Sequence, residues 1–121
     1  MQGKIKIQRV YDLDQVKQGQ KILVDRLWPR GIKKSDLEPF YWAKDLAPSK
    51  EVRQAFNHQP ERFESFKDQY LKELDQNPQG KSLIKKVQDI LKDQDLILLY
   101  GAKDQKHNQA IVLKDWLEKN I

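Results

Sequence analysis

Cysteine is absent from the 121 residues, which excludes a disulfide framework, a thiolate nucleophile and a cysteine-based zinc site. Cysteine-dependent phosphatase and sulfurtransferase chemistry is excluded with them. Histidine is almost as scarce, His58 and His107 being the only two. Two imidazoles do not make a zinc site alone, and neither His-x-x-x-His nor His-Glu spacing occurs, so no metal is expected. The five glycines form neither GxGxxG nor GxxxxGK, so no nucleotide-cofactor fingerprint is present and no cofactor is expected. No run approaches the roughly 20 apolar residues that span a bilayer. Met1-Gln2-Gly3-Lys4 opens onto an alternating segment rather than a signal core, so the expectation is a cytoplasmic protein with no membrane partner.

What the chain does have is enough bulk for one core. Hydrophobic residues make up only 38%, but four Phe, four Tyr and three Trp supply large core side chains. The length suits a single α/β domain over 1–121, with no room for a second. Lys plus Arg exceed Asp plus Glu by 23 to 18, a net charge of +5. The lysines are scattered rather than blocked, a pattern that mostly solvates a surface and supports an anionic partner only mildly.

Ile5 and Ile7 alternate with Lys4, Lys6 and Gln8, the period of a strand with one wet face. Leu13 and Val16, three apart, suggest a single helical turn within Tyr11 to Gln18 before the turn at Gly19. Lys21 to Leu27 is a short apolar run, as expected of a central strand covered on both faces. Ser35-Asp36-Leu37-Glu38 has the spacing of a capping box, with Glu38 before Pro39 as a competing start, so a helix is expected to follow and end before Pro48. Ser49 caps a short helix through Phe56, and Pro60 opens another in which Phe63, Phe66, Tyr70 and Leu74 form a core stripe. Leu83, Ile84, Val87, Ile90 and Leu91 mark a fourth helix, Asp95 to Tyr100 a third strand, and Ala110, Leu113, Trp116 and Leu117 the apolar face of a last helix over about His107 to Lys119. Strands alternating with helices predict a small, largely parallel sheet of about three strands flanked by helices.

In such sheets ligands collect beyond the carboxyl ends of the strands. Two charged junctions fall there: Asp25-Arg26-Leu27-Trp28-Pro29-Arg30-Gly31 and Gly101-Ala102-Lys103-Asp104, which leads to His107-Asn108. Arginine is the minority cation, at Arg9, Arg26, Arg30, Arg53 and Arg62. Arg26 and Arg30 are therefore the strongest candidates for bidentate grip on a phosphate or carboxylate, with an internal ion pair to Asp25 or Asp104 as the structural alternative. Trp28 is either core or an apolar wall for a base or sugar. His107, Asp104 and Asp25 are the candidates for moving a proton, and Lys103 and Asn108 join Arg26, Arg30 and Trp28 as ligand-binding candidates. His58, at a helix start, suits a structural capping role better than chemistry.

These residues also carry a resemblance. The chain resembles the YeaO-like family of small bacterial proteins, domain of unknown function 488, through Val24-Asp25-Arg26-Leu27-Trp28-Pro29-Arg30-Gly31, through Leu46-Ala47-Pro48-Ser49 with Arg53, Phe56, His58, Pro60 and Arg62, and through Leu98-Leu99-Tyr100 with Ala102, Asp104, His107, Asn108 and Ala110. The family pattern has Asp where Gln59 stands, Trp at Phe63, Ala at Gly101, Arg at Lys103 and His at Gln109. The resemblance implies a compact cytoplasmic α/β protein and no particular activity.

Three functions compete on this reading: a strand-end pocket for a small phosphate- or nucleotide-like anion, a nucleic-acid-binding or regulatory module, and a structural or interaction module without catalysis. The basic balance supports nucleic acid weakly, since no helix-turn-helix signature stands out. Neither a reaction nor an oligomeric state can be read from the residues.

Overall fold

In a computed structural model, which describes residues 3–15 and 18–121, all four strands run parallel in the order β1-β4-β2-β3. The strands are β1 (Ile5–Arg9), β2 (Gln20–Leu23), β3 (Phe40–Trp42) and β4 (Leu96–Tyr100). The helices are α1 (Lys34–Leu37), α2 (Lys50–Phe56), α3 (Phe63–Gln76), α4 (Gln79–Leu91) and α5 (Gln109–Asn120). The last strand in the sequence is inserted between the first two, pairing Ile5 with Leu96 on one side and Gln20 with Leu96 on the other.

Central position explains the unbroken apolar run of β4, whose five residues are all buried. Alternate side chains leave by opposite faces. Leu96, Leu98 and Tyr100 join Ile22, Val24 and residues of α2 to α5 in the main core, while Ile97 and Leu99 join Leu23, Leu37 and the rings of Trp28, Phe40 and Trp42 in a smaller one. The helices thus crowd one face, and a loop with one helical turn covers the other.

The expected α2 is present, with the Ser49 hydroxyl accepting from Val52 N at 3.2 Å. In α3 the stripe of Phe66, Tyr70 and Leu74 is buried. The last helix begins later than expected, with Asn108 as its cap and His107 outside it. A short helical turn over Val10–Gln15 follows β1, while Val16 lies outside the described residues.

Two expectations are corrected. The helix between Ser35 and Pro48 is one turn, and a fourth strand, β3, takes its place. Pro39 has no amide hydrogen and disfavours a helical residue before it. Glu38 is accordingly extended, and the aromatic run Phe40-Tyr41-Trp42 pairs with Lys21–Leu23. The run Lys21 to Leu27 leaves the sheet earlier than expected, since β2 ends at Leu23 and Arg26 and Leu27 are exposed. Val24 keeps one further bond, donating to Leu99 O at 3.0 Å.

Candidate functional site

Because every strand is parallel, the segments after β1, β2 and β4 emerge at the same edge. There they meet α2, the turn after it and α3 around a cleft of about 330 Å³. Arg53 and Phe56, three apart on one face of α2, line it together with Pro48, His58 and Phe66; Asp25 to Pro29, Tyr11, Gly101, Ala102 and His107 to Gln109 complete it.

Asp25 holds the junctions together. Its backbone carbonyl accepts from Trp42 Nε1 at 2.7 Å, and its Oδ2 accepts from Gly101 N at 2.8 Å. Oδ1 accepts from the side-chain amide of Gln109. One carboxylate therefore ties β2 to the end of β4 and the start of α5. A Cβ at Gly101 would lie 2.9 Å from Oδ2, so the glycine permits this close approach. Burial raises the Asp25 carboxyl from 3.8 to about 6, and the Gly101 and Gln109 hydrogen bonds and the Arg53 charge offset only part of that rise.

The loop after β4 is organised by Asp104. Its Oδ1 accepts from Lys106 N at 2.8 Å and His107 N at 3.0 Å, while its Oδ2 lies 3.0 Å from His107 Nδ1. These bonds hold the Asp104 carboxyl below the usual carboxylate range, with the Lys106 amide first among them. Nδ1 is committed to Asp104, so Nε2 is the nitrogen that remains for a ligand. The ring is steadied edge-on by Phe63, centroid to centroid 5.2 Å.

Asn108 is 1% exposed and fully used: Oδ1 accepts from Ile111 N at 3.1 Å as the cap of α5, and Nδ2 donates to Asp104 O at 3.0 Å. Asn108→Ala is expected to lower stability by about 2 kcal/mol, the sum of a lost cap and a lost buried bond. Asn108→Ser, which offers a cap oxygen without burying a charge, should recover roughly half of that in urea unfolding. Equal losses in the two variants would show that the cap contributes nothing.

Of the residues singled out in the sequence, the cleft brings together Asp25, Arg26, Trp28, His107 and Asn108. Asp104 stands behind His107 rather than on the wall. The side chains of Arg30 and Lys103 are exposed and do not line the cleft. Arg30 contributes only its carbonyl, which accepts from Tyr11 OH at 2.9 Å. Arg26 Nη1 donates to Pro48 O at 3.3 Å, and Trp28 Nε1 to Ile32 O at 2.7 Å. His58 makes no side-chain hydrogen bond among the described residues. Asn57 and His58 both have positive φ, 49° and 54°, which turns the chain after α2 and sets the imidazole on the cleft wall instead of in a cap. Two successive left-handed non-glycine residues are uncommon, and such strain gathers at functional positions.

Tyr11, Arg53, Phe56, Phe66 and Gln109 on the cleft wall were not among the sequence-derived site residues. Arg53 carried a signal, as one of five arginines among 23 cations. Arg9 has a structural part, its Nε donating to Ala102 O at 3.0 Å behind the cleft. Among the described residues no three His, Asp or Glu side chains gather as a metal-ligand set, and no helix is long and apolar enough to cross a membrane.

A small α/β protein with a polar cleft across the carboxyl ends of a parallel sheet is the class that this geometry defines. The chain belongs to a family described as the inactive DUF488-N3 subclade, whose family model matches residues 4–121. It is 50% identical over 114 residues to "Uncharacterized protein YeaO" of Escherichia coli strain K12, covering 93% of this chain and 96% of that protein. It is 48% identical over 71 residues to "Uncharacterized protein Rv3073c" of Mycobacterium tuberculosis strain H37Rv, covering 59% of this chain and 60% of that protein. No solved structure matches the chain.

Proposed function

We propose that the protein binds a small anionic ligand, phosphate- or nucleotide-like, in the strand-end cleft and does not transform it. The observation that carries this reading is that Arg26 and Arg53 both line the cleft, and that neither makes a salt bridge among the described residues. Arg53 is close enough for its charge to act on Asp25, but guanidinium groups that line a concave site and are not locked in a salt bridge are suited to bidentate capture of an oxyanion. The imidazoles of His58 and His107 line the same cleft. The word "inactive" in the family's description favours binding over turnover.

The test is calorimetric titration with inorganic phosphate and pyrophosphate, beside melting curves. Arg53→Met is expected to weaken binding by about 10- to 100-fold, the value of a charge-assisted hydrogen bond, with little change in melting because the side chain is exposed. Arg53→Lys should fall between the two, since charge remains and the fork is lost. Unchanged affinity in both variants would remove Arg53 from the site. Binding to duplex DNA that falls steeply with salt and ignores Arg53 would favour a nucleic-acid module instead.

A further inference from the structure

Among the described residues Asp25 is the one acid that lines the cleft. A carboxylate on the wall of an anion site repels a bare phosphate, so its presence there says something about the rest of the ligand. Its two oxygens are already oriented from the protein side, Oδ2 by the Gly101 amide and Oδ1 by the Gln109 side chain. A carboxylate oxygen accepts about two hydrogen bonds, which leaves each oxygen one further site. Two acceptors on one rigid carboxylate match two hydroxyl groups on neighbouring carbons, and the bond from Trp42 Nε1 to the Asp25 carbonyl fixes the backbone beneath them.

The remaining surfaces agree with a sugar. Tyr11, Trp28, Phe56 and Phe66 supply apolar wall, on which the carbon-bound hydrogens of a furanose ring or a flat base would pack. The volume of about 330 Å³ lies at the small end of ligand pockets, fit for a sugar phosphate or a mononucleotide rather than a dinucleotide. We infer that the ligand is a phosphate monoester carrying a vicinal diol, the chemistry shared by ribose phosphate and ribonucleoside monophosphates, with Asp25 accepting from the hydroxyls and Arg26 and Arg53 holding the phosphate. This rests on the anion-binding reading above and narrows it.

Calorimetric titrations near pH 7.5, where Asp25 is ionised, compare ribose phosphate, deoxyribose phosphate, inorganic phosphate and phosphoethanolamine. Ribose phosphate is expected to bind about tenfold or more tightly than deoxyribose phosphate and inorganic phosphate, because a site built to bond a hydroxyl rejects the analogue that lacks it. Asp25→Asn should bring ribose phosphate and deoxyribose phosphate within about threefold of each other, since one of the two acceptor oxygens becomes a donor. Adenosine monophosphate against its deoxy counterpart should repeat the preference if the source is a nucleotide, and ribose phosphate alone should show it if the source is a free sugar. Equal affinity for diol and deoxy ligands in both pairs, with phosphate still bound, overturns the diol and leaves anion binding standing. Tighter binding of phosphoethanolamine assigns Asp25 to an ammonium and overturns it equally. Failure of every phosphate to bind removes both readings. The wild-type comparison decides the matter even if Asp25→Asn does not fold.

Discussion

Asp25→Asn is expected to stabilise the protein at neutral pH, by up to about 3 kcal/mol, while it reduces the preference for a diol to within about threefold. Burial raises the carboxyl from 3.8 to about 6 in the folded chain, so ionising it is harder there than in the unfolded chain. The sign follows from linkage. A raised folded value means that the favourable contribution of the group is complete below about 3.8 and is lost as pH rises through about 6. Above that point the folded state carries a desolvated charge that asparagine does not have. The wild type should therefore gain on the variant as pH falls from about 7.5 to about 4, and the two should converge. Asp95 and Asp104 act in the other direction, because hydrogen bonds hold both below the ordinary range and their stabilisation is lost in acid. They are common to both proteins, so the difference between the two urea midpoints isolates Asp25, provided the slope of the unfolding curve is the same. A variant less stable than wild type at neutral pH would mean that the bonds from Gly101 and Gln109 outweigh the burial of the charge. A gain in stability on removing a side chain from the cleft is the behaviour of a residue retained for binding.

The sequence exposed the helices better than the sheet, for a reason visible in particular residues. Phe66, Tyr70 and Leu74 repeat at helical spacing over about two turns, and the signal accumulates along α3. Phe40-Tyr41-Trp42 is three residues long, too short for alternation to register, and the capping-box spacing at Ser35 to Glu38 argued for a helix in the same place. The strand forms because Lys21–Leu23 of β2 offer a ladder to Phe40–Trp42, a tertiary opportunity that no local window contains. The junctions were readable because charge directly after an apolar run marks a strand end. Their partners across the cleft were not. Arg53 and Phe56 point there because α2 packs on α3, and His58 does so through two left-handed backbone positions that its sequence does not announce. Lys103 and Arg30 show the converse, since adjacency in the chain put them in the right loops without turning their side chains inward.

Phe66→Ala is expected to cost about 3 to 5 kcal/mol, a large share of the roughly 5 to 15 kcal/mol that holds a domain of this size together. Phe66 is 3% exposed, stacks on Phe56 with centroids 4.6 Å apart, and lies 5.8 Å from the Tyr70 ring and 5.9 Å from that of Phe63. The hole cannot close easily, because Tyr70 is pinned by the bond from its hydroxyl to Leu46 O at 2.6 Å. Relaxation is what lowers the cost of such truncations, and here it is resisted. The same ring joins α3 to α2, the helix that carries Arg53 one turn before Phe56. Loosening that seam should let the guanidinium drift, so phosphate affinity is expected to fall even under conditions where Phe66→Ala remains folded. Phe66→Leu, which refills most of the volume, should lose only about 1 to 1.5 kcal/mol and keep most of the affinity. Urea unfolding and phosphate titration on both variants separate the two effects. A small loss of stability in Phe66→Ala would mean that the aromatic cluster collapses freely. A full loss with affinity unchanged in the folded fraction would mean that α2 holds Arg53 in place without α3, and that the packing beneath the cleft does not position its cations.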